Sequence, residues 1–319
     1  MHIPVLLKEV IAVLDPKPGE FFIDGTVGNG GHAVSILEKI TPSGKFLAVD
    51  WDNNAIENFK PKTIAICGNY ADLPKILEDL PAGRQGNKLG MADGLLLDLG
   101  MSSEQLEHSG RGFSFMRNEP LDMRYFITQN KTDQAQANAN SLSESEAVPE
   151  QYEFASLTAA EIINSFNEKD LADIFFQYGE ERFSRRIARK IIEERKKKRI
   201  LTTFDFVEVI KKAVPNNYEK GRIHPATRTF QALRIYVNQE LENLERLLKN
   251  LDKILKPKGR IAIISFHSLE DRLVKNYFRE KSKEGKMEIL TKKPIRPTIE
   301  EIGQNPRSRS AKLRAAKLL

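Results

Sequence analysis

One stretch of this chain carries residues whose types and spacing suit ligand chemistry. Asp24-Gly25-Thr26-Val27-Gly28-Asn29-Gly30-Gly31-His32 follows a short apolar run, Phe21-Phe22-Ile23, and precedes a helix-like segment from about His32 to Ile40. Glycines here let the backbone approach a ligand closely and expose N–H groups at a helix start. Asp50 lies 19 residues beyond Gly31, at the end of the apolar run KFLAVD. A carboxylate in that place can accept both hydroxyl protons of a ribose. Gly28, Gly30 and Ala33 also fit a dinucleotide fingerprint, which is a weak signal by itself. Strand, glycine loop, helix and acidic strand end together point to a cofactor containing adenosine. Asp24 at the head of the loop would repel a pyrophosphate but could orient an ammonium group. That favours a methyl donor such as S-adenosylmethionine over a nicotinamide dinucleotide. Asp98 ends a further apolar run, GLLLDL, and so belongs to the sheet edge where open α/β folds bind ligands, unless it is only a turn residue.

The elements that must position these residues are legible as alternating short apolar runs and helical stretches. Phe21–Ile23, Lys45–Asp50, Thr63–Cys67 and Gly94–Leu99 read as strands, and Gly259–Phe266 resumes the pattern with Lys286–Thr291 after it. Continuous apolar strands separated by helices predict a mostly parallel sheet covered on both faces. Before Gly259, Phe230, Leu233, Val237, Leu241, Leu244, Leu248 and Leu251 recur at helical spacing and predict one long helix. The fold class expected is therefore α/β, Rossmann-like, with an inserted helical domain. Its split α/β domain covers residues 1–109 and 215–319, and the insert covers 110–214. Thr158-Ala159-Ala160-Glu161 has the form of a helix capping box. Gln129 to Gln151, rich in Gln, Asn, Ser and Ala, is too polar to offset its ordering entropy and is expected to be a disordered loop. Pro81–Lys88 reads as a smaller loop of the same kind.

Composition narrows the function classes. The 319 residues are 40% apolar and 29% charged, which excludes collagen-like and wholly disordered chains. No apolar run is long enough to span a bilayer, and the N-terminus lacks the charged and apolar regions of a secretory signal, so a cytoplasmic protein is expected. A single cysteine, Cys67, excludes an internal disulfide. His2, His108 and His224 show no metal-ligand spacing, and no metal is expected. The net charge is +6, but its distribution is more telling: ten Lys or Arg against two Glu between Arg182 and Arg199, and five basic residues with no acid from Asn305 to Leu319. Such clusters attract nucleic acid, although each alone reads equally well as a solvated helix face or a charged tail.

At this point the residues resemble a known family. HIPVL at the N-terminus, the DGTVGNGGH loop, LDLGMSS from Leu97, RGFSF from Arg111, PLDMR from Pro120, HPATRTFQALR from His224, SFHSLEDR from Ser265 and NPRSRSAKLR from Asn305 look like the MraW family of small-subunit ribosomal RNA methyltransferases. The blocks run end to end in the expected order. The resemblance implies a class I methyltransferase core with a helical insertion. It also implies S-adenosylmethionine as cofactor and methylation of N4 of a cytidine in the decoding region of bacterial 16S rRNA. Carried over by motif, the cofactor contacts are Gly30, Gly31, His32, Asp50, Tyr70, Asp98 and Gln105. Between Tyr125 and Leu157 the chain departs from the family with an extra loop.

For the chemistry, Asp98 is the leading residue near the reacting amine, with His267, just past the fifth strand, as a second candidate for base or substrate contact. A structural role for His267 weighs against it, and His32 fits a loop-holding role as well as a ligand contact. Phe113 and Phe115 could stack on a base or pack in a core. The basic residues of the insert and of the C-terminal tail, Arg185, Arg186, Arg189, Lys196, Lys197, Arg307, Arg309 and Arg314, are expected to grip rRNA, within a small-subunit particle. Three alternatives stay open: a methyltransferase acting on another RNA or DNA amino group, an NAD-dependent dehydrogenase, and an RNA-binding protein without catalysis. The oligomeric state is open too, a homodimer included.

Overall fold

The computed structural model describes residues 3–61, 63–80, 89–101, 106, 109–125, 157–218 and 223–319. His2, Gln105, His108, the expected loops at 81–88 and 129–151, and most of the 125–157 insertion lie outside them. The chain divides into two compact units, Met1–Ser102 with Leu241–Leu319, and Ser103–Glu240.

The first unit is a seven-stranded sheet flanked by helices. In chain order it begins with α1 (Leu7–Leu14), β1 (Phe21–Asp24), α2 (Gly31–Ile40), β2 (Lys45–Asp50), α3 (Asn53–Glu57), β3 (Ile64–Cys67), α4 (Leu73–Asp79) and β4 (Ala92–Asp98). In the second unit follow α5 (Ala159–Ser165), α6 (Glu168–Gly179), α7 (Ser184–Arg195), α8 (Thr203–Ala213) and α9 (Thr227–Asn238). The chain then continues through α10 (Glu240–Lys249), α11 (Leu251–Ile254), β5 (Leu255–Ser265), α12 (Ser268–Lys283), β6 (Met287–Ile289), α13 (Ile299–Gln304) and β7 (Lys312–Leu318).

Strand order is β3-β2-β1-β4-β5-β7-β6. The first five strands are parallel neighbours, and β7 runs antiparallel to both β5 and β6. The continuous apolar runs are explained by burial on both faces. Ile23, Leu47, Leu95, Leu97, Ile261 and Ile263 point into a core closed by Leu73, Leu77, Leu244, Leu248, Val274 and Phe278. The alternate residues Phe22, Phe46, Ala48, Leu96, Ala262 and Ile264 point into the other, closed by Val10, Leu14, Ala33, Ile36 and Ile40. Side chains alternate between faces along a strand, and each fully buried Leu or Ile contributes about 1.5–3 kcal/mol. The order of strands reverses between β1 and β4, which places the glycine loop and the ends of β1, β2 and β4 at a topological switch point.

Two expectations need correction. The single long helix from Phe230 to Leu251 is interrupted at Gln239, whose left-handed conformation (φ 50°) ends α9 before α10 begins. Apolar spacing continues across the break, so periodicity could not reveal it. The C-terminal charged tail is not a tail. Lys312–Leu318 is strand β7, paired on both edges, and Arg314 is buried there with its Nε 2.6 Å from Asp271 Oδ1. That arginine is held in an internal ion pair rather than on an exposed tail. Arg307 and Arg309, in the short 3₁₀ turn Pro306–Ser310, are exposed.

In the helical unit, side-chain caps set the helix starts. Thr158 and Glu161 form the expected capping box of α5, Asn167 caps α6 and Thr202 caps α8. Its core contains stacked Phe206 and Phe230, with centroids 5.4 Å apart. Buried Glu181 accepts hydrogen bonds from the Phe183 N–H (2.7 Å) and the Tyr218 hydroxyl (2.6 Å). No helix among the described residues is long and apolar enough to cross a membrane.

Candidate active site

The glycine loop is built by the backbone it must leave bare. Gly28 (φ 48°) and Gly30 (φ 77°) adopt the left-handed region that side chains disfavour. The Gly30 N–H closes a turn onto the Val27 carbonyl (2.8 Å), and its own carbonyl accepts from Val34 N–H to start α2. Gly31 lacks room for a side chain, since a Cβ there would sit 2.3 Å from Pro4 Cγ.

Around this loop stand three carboxylates from three strand ends. Asp24 closes β1, is buried, and accepts the Thr26 N–H at Oδ1 (3.0 Å). Asp50 closes β2. Its Oδ2 accepts the Gly28 N–H (2.8 Å) and its Oδ1 the Asp52 N–H (2.9 Å). Asp98 closes β4, and its N–H donates to Thr26 Oγ1 (2.6 Å). Thr26 thus ties two of the acidic residues together. Sequence reasoning passed over it, though a hydroxyl one residue beyond Asp-Gly was the available signal.

Burial pushes the Asp24 carboxyl up to about 8, with Asp98 and Asp50 adding repulsion against the pull of the Thr26 backbone bond. Burial also raises Asp50 to about 6, opposed by the N–H groups of Asp52 and Gly28. The site therefore gathers three carboxyl groups whose negative charge is limited by protonation and by the N–H groups that Asp24 and Asp50 accept. Such a place stabilises a ligand bearing positive charge and hydroxyl donors, and it opposes a pyrophosphate.

The other predicted residues fall as follows. His32 is buried at the start of α2, its Nε2 2.8 Å from the Val5 carbonyl oxygen and its Nδ1 3.8 Å from Asp98 Oδ2. Tyr70 opens the short 3₁₀ helix Tyr70–Asp72, and its Cβ lies beside Gly25, 3.1 Å from where a Cβ on that glycine would be. Gln105 lies outside the described residues. His267 caps α12: its Nδ1 accepts the Glu270 N–H (3.4 Å), and Glu270 returns bonds to the Phe266 and His267 N–H groups. Its Nε2 is 3.0 Å from Glu270 Oε1, so both ring nitrogens face the same helix turn. Those bonds give His267 a capping role.

A family model described as the MraW methylase family matches residues 1–154 and 151–319. Ribosomal RNA small subunit methyltransferase H of Synechocystis sp. is 46% identical over 327 residues, covering 99% of this chain and 92% of the relative. The protein of the same name from Thermotoga neapolitana is 43% identical over 328 residues, covering 100% and 96%, and that from Syntrophotalea carbinolica is 40% identical over 340, covering 100% and 98%. This chain belongs to the MraW methylase family. Membership and the acidic loop agree on a methyl donor, because a transferable methyl on a sulfonium brings the positive charge that the three carboxylates suit.

The helical unit of this family member carries its charge on one helix face. On α7, Ser184, Ile187, Ala188 and Ile191 are buried while Arg185, Arg186 and Arg189 are exposed. Not all of the cluster is equally available. Glu194 sits among Lys197 (2.8 Å), Lys190 (3.3 Å) and Lys212 (3.4 Å), and hydrogen bonds from Lys197 and Lys190 lower its carboxyl to about 2. Arg195 donates to the Ile163 and Phe166 carbonyls at the end of α5. Arg182 lies over the Phe183 and Tyr218 rings. Phe113 is buried and stacks on Tyr125 (5.4 Å), whereas half-buried Phe115 stacks on His224 (4.5 Å).

Proposed function

We propose that this chain transfers the methyl group of S-adenosylmethionine to the exocyclic N4 amine of a cytidine in 16S rRNA of the small ribosomal subunit. The observation that carries this reading is the trio Asp24, Asp50 and Asp98 around a left-handed glycine loop, in a member of the MraW methylase family. The residues present fit the methyl donor. The left-handed glycines Gly28 and Gly30 shape the loop that faces it, Asp50 suits ribose hydroxyls, and Asp24 and Asp98 suit its cationic part. Tyr70 and His32 complete the surround, with Gln105 added by family likeness. When bound, the donor supplies an electrophilic methyl on sulfur.

The amine of cytosine is a poor nucleophile because its lone pair is delocalised into the ring. A site must hold that nitrogen in line with the departing sulfur, about 3 Å from the methyl carbon. An acceptor on the amine raises its nucleophilicity and takes its proton. Asp98, fixed at its backbone by Thr26, is assigned that place. His267 is assigned to helix capping instead, since its Nδ1 accepts the Glu270 N–H and the Glu270 carboxylate caps the His267 N–H in return.

The exposed face of α7 is assigned to RNA phosphates, in the setting of an assembled particle in the cytoplasm. Its test is methyl transfer from labelled donor to ribosomal particles followed by nucleoside analysis. N4-methylcytidine is expected. A methylated adenine or a C5-methyl product would move the assignment to another amino group or another chemistry, and nicotinamide binding would overturn it. Sedimentation of the purified protein decides between monomer and homodimer.

A further inference from the structure

We infer that His32, acting through Asp98, receives the proton that leaves the substrate amine during methyl transfer. This rests on the proposed reading of Asp98 as the acceptor beside that amine. The inference begins with the tautomer. A carbonyl oxygen only accepts, so the 2.8 Å contact between Nε2 and the Val5 carbonyl requires the ring proton on Nε2. Burial holds the imidazole below its ordinary value of 6.5, against smaller opposing effects of the Val5 bond and the Glu301 charge. The neutral ring then presents a bare lone pair at Nδ1, 3.8 Å from Asp98 Oδ2.

The carbonyl that sets this tautomer is itself clamped. The Leu6 N–H donates to Glu301 Oε1 (2.8 Å), and Asn305 Nδ2 donates to the Ile3 carbonyl (3.2 Å). Pro4 fills the space that a side chain at position 31 would need. Residues from α13 and its C-terminal neighbour therefore hold the N-terminal strap against the cofactor loop. The charged groups around the ring are Asp98 on β4 and Glu301 on α13; beyond Asp98, Asp24 is raised by the nearby charges of Asp98 and Asp50.

The step balances. The amine nitrogen forms a bond to the methyl carbon as the sulfur–carbon bond breaks and its electron pair stays on sulfur. The surplus N–H proton passes to the Asp98 carboxylate and from there to Nδ1 of His32, a step that requires the 3.8 Å gap between Oδ2 and Nδ1 to close to hydrogen-bond distance in the reactive complex. The resulting imidazolium has one N–H on the Val5 carbonyl and the other facing the restored carboxylate. After product leaves, the proton returns to solvent by way of Asp98. His32 is thus a positioning and proton-holding residue rather than one that touches substrate.

The test combines His32→Gln with a direct look at the ring. Glutamine can keep a donor on the Val5 carbonyl but cannot titrate. Single-turnover methylation of ribosomal particles at saturating S-adenosylmethionine is expected to fall about 100-fold, within the usual range for losing a proton acceptor, whatever change the substitution makes in cofactor affinity. The wild-type rate should show an acid limb below pH 6.5 that the variant lacks; limbs from Asp24 and Asp50 would persist in both. An unchanged rate and profile would overturn the relay, as would a loss explained wholly by weaker cofactor binding. Nitrogen-15 spectra of histidine-labelled wild-type protein, taken without RNA, should show Nε2 protonated and Nδ1 bare near neutral pH. An Nδ1–H tautomer in a protein that does methylate rRNA sinks the relay alone, whereas a protein that methylates no rRNA but shows the expected ring sinks the substrate assignment and with it the step.

Discussion

Replacing Asp24 by asparagine offers the sharpest test of the acidic site, because the consequence can be worked out from burial alone. The folded protein holds this carboxyl up to about 8 from an ordinary 3.8. Between those values the unfolded chain releases the proton and the folded chain keeps it. The native state then binds more protons than the unfolded one, so stability falls as pH rises through this window. From 3.8 to about pH 7 is roughly three pH units at about 1.36 kcal/mol each, or about 4 kcal/mol lost by the cofactor-free protein. The substituted amide would keep an oxygen to accept the Thr26 N–H and would not ionise. D24N is therefore expected to match wild type near pH 4 and to exceed it by up to about 4 kcal/mol near pH 7, in chemical denaturation without cofactor. A cationic ligand next to Asp24 favours its ionised form, so wild type should release protons on binding S-adenosylmethionine and D24N fewer. Calorimetry in buffers of different ionisation enthalpy reads that difference. A stability gap between variant and wild type that stayed flat from about pH 5 to pH 8 would refute the reasoning.

Three further outcomes are expected. Asp50→Ala should weaken S-adenosylmethionine by about 1.5–3 kcal/mol, the value of a charged hydrogen bond, as read by calorimetry on protein whose circular dichroism is unchanged. Arg314→Met removes the 2.6 Å partner of Asp271 and leaves Lys312, at 3.3 Å, as its cation, and should lower stability by about 1.5–3 kcal/mol, the value of a charged hydrogen bond, while RNA affinity at fixed salt stays as it was; a loss of RNA binding in folded protein would restore that arginine to the interface. Charge reversal at Arg185 and Arg186 should weaken RNA binding and flatten its salt dependence without changing cofactor affinity. Reversal at Lys197, already occupied by Glu194, should do less.

Much of this protein was written locally. Strands β1, β2, β4 and β5 are runs of buried apolar residues, and any run buried on both faces of a sheet must look like that whatever its neighbours are. The glycine loop was legible for a similar reason: left-handed turns at positions 28 and 30 exclude most other residues. Asp50 and Asp98 could be placed because each ends such a strand. What could not be read depended on partners distant in the chain. Lys312–Leu318 looked like a charged tail because its arginine reads as solvated until Asp271, 43 residues earlier, is brought beside it. The break at Gln239 leaves no mark on a spacing of apolar residues that continues through it. His267 looked like a chemical group because a lone histidine after a strand carries no sign of the helix turn that its Nδ1 will cap. The tautomer of His32 was equally hidden, since it is set by a carbonyl at Val5 that only the folded chain brings against it, 27 residues away. Residue type and spacing determine what can be buried and where the backbone can turn; the protonation and pairing of the buried groups depend on distances that exist only once the strands and the N-terminal strap have closed around them.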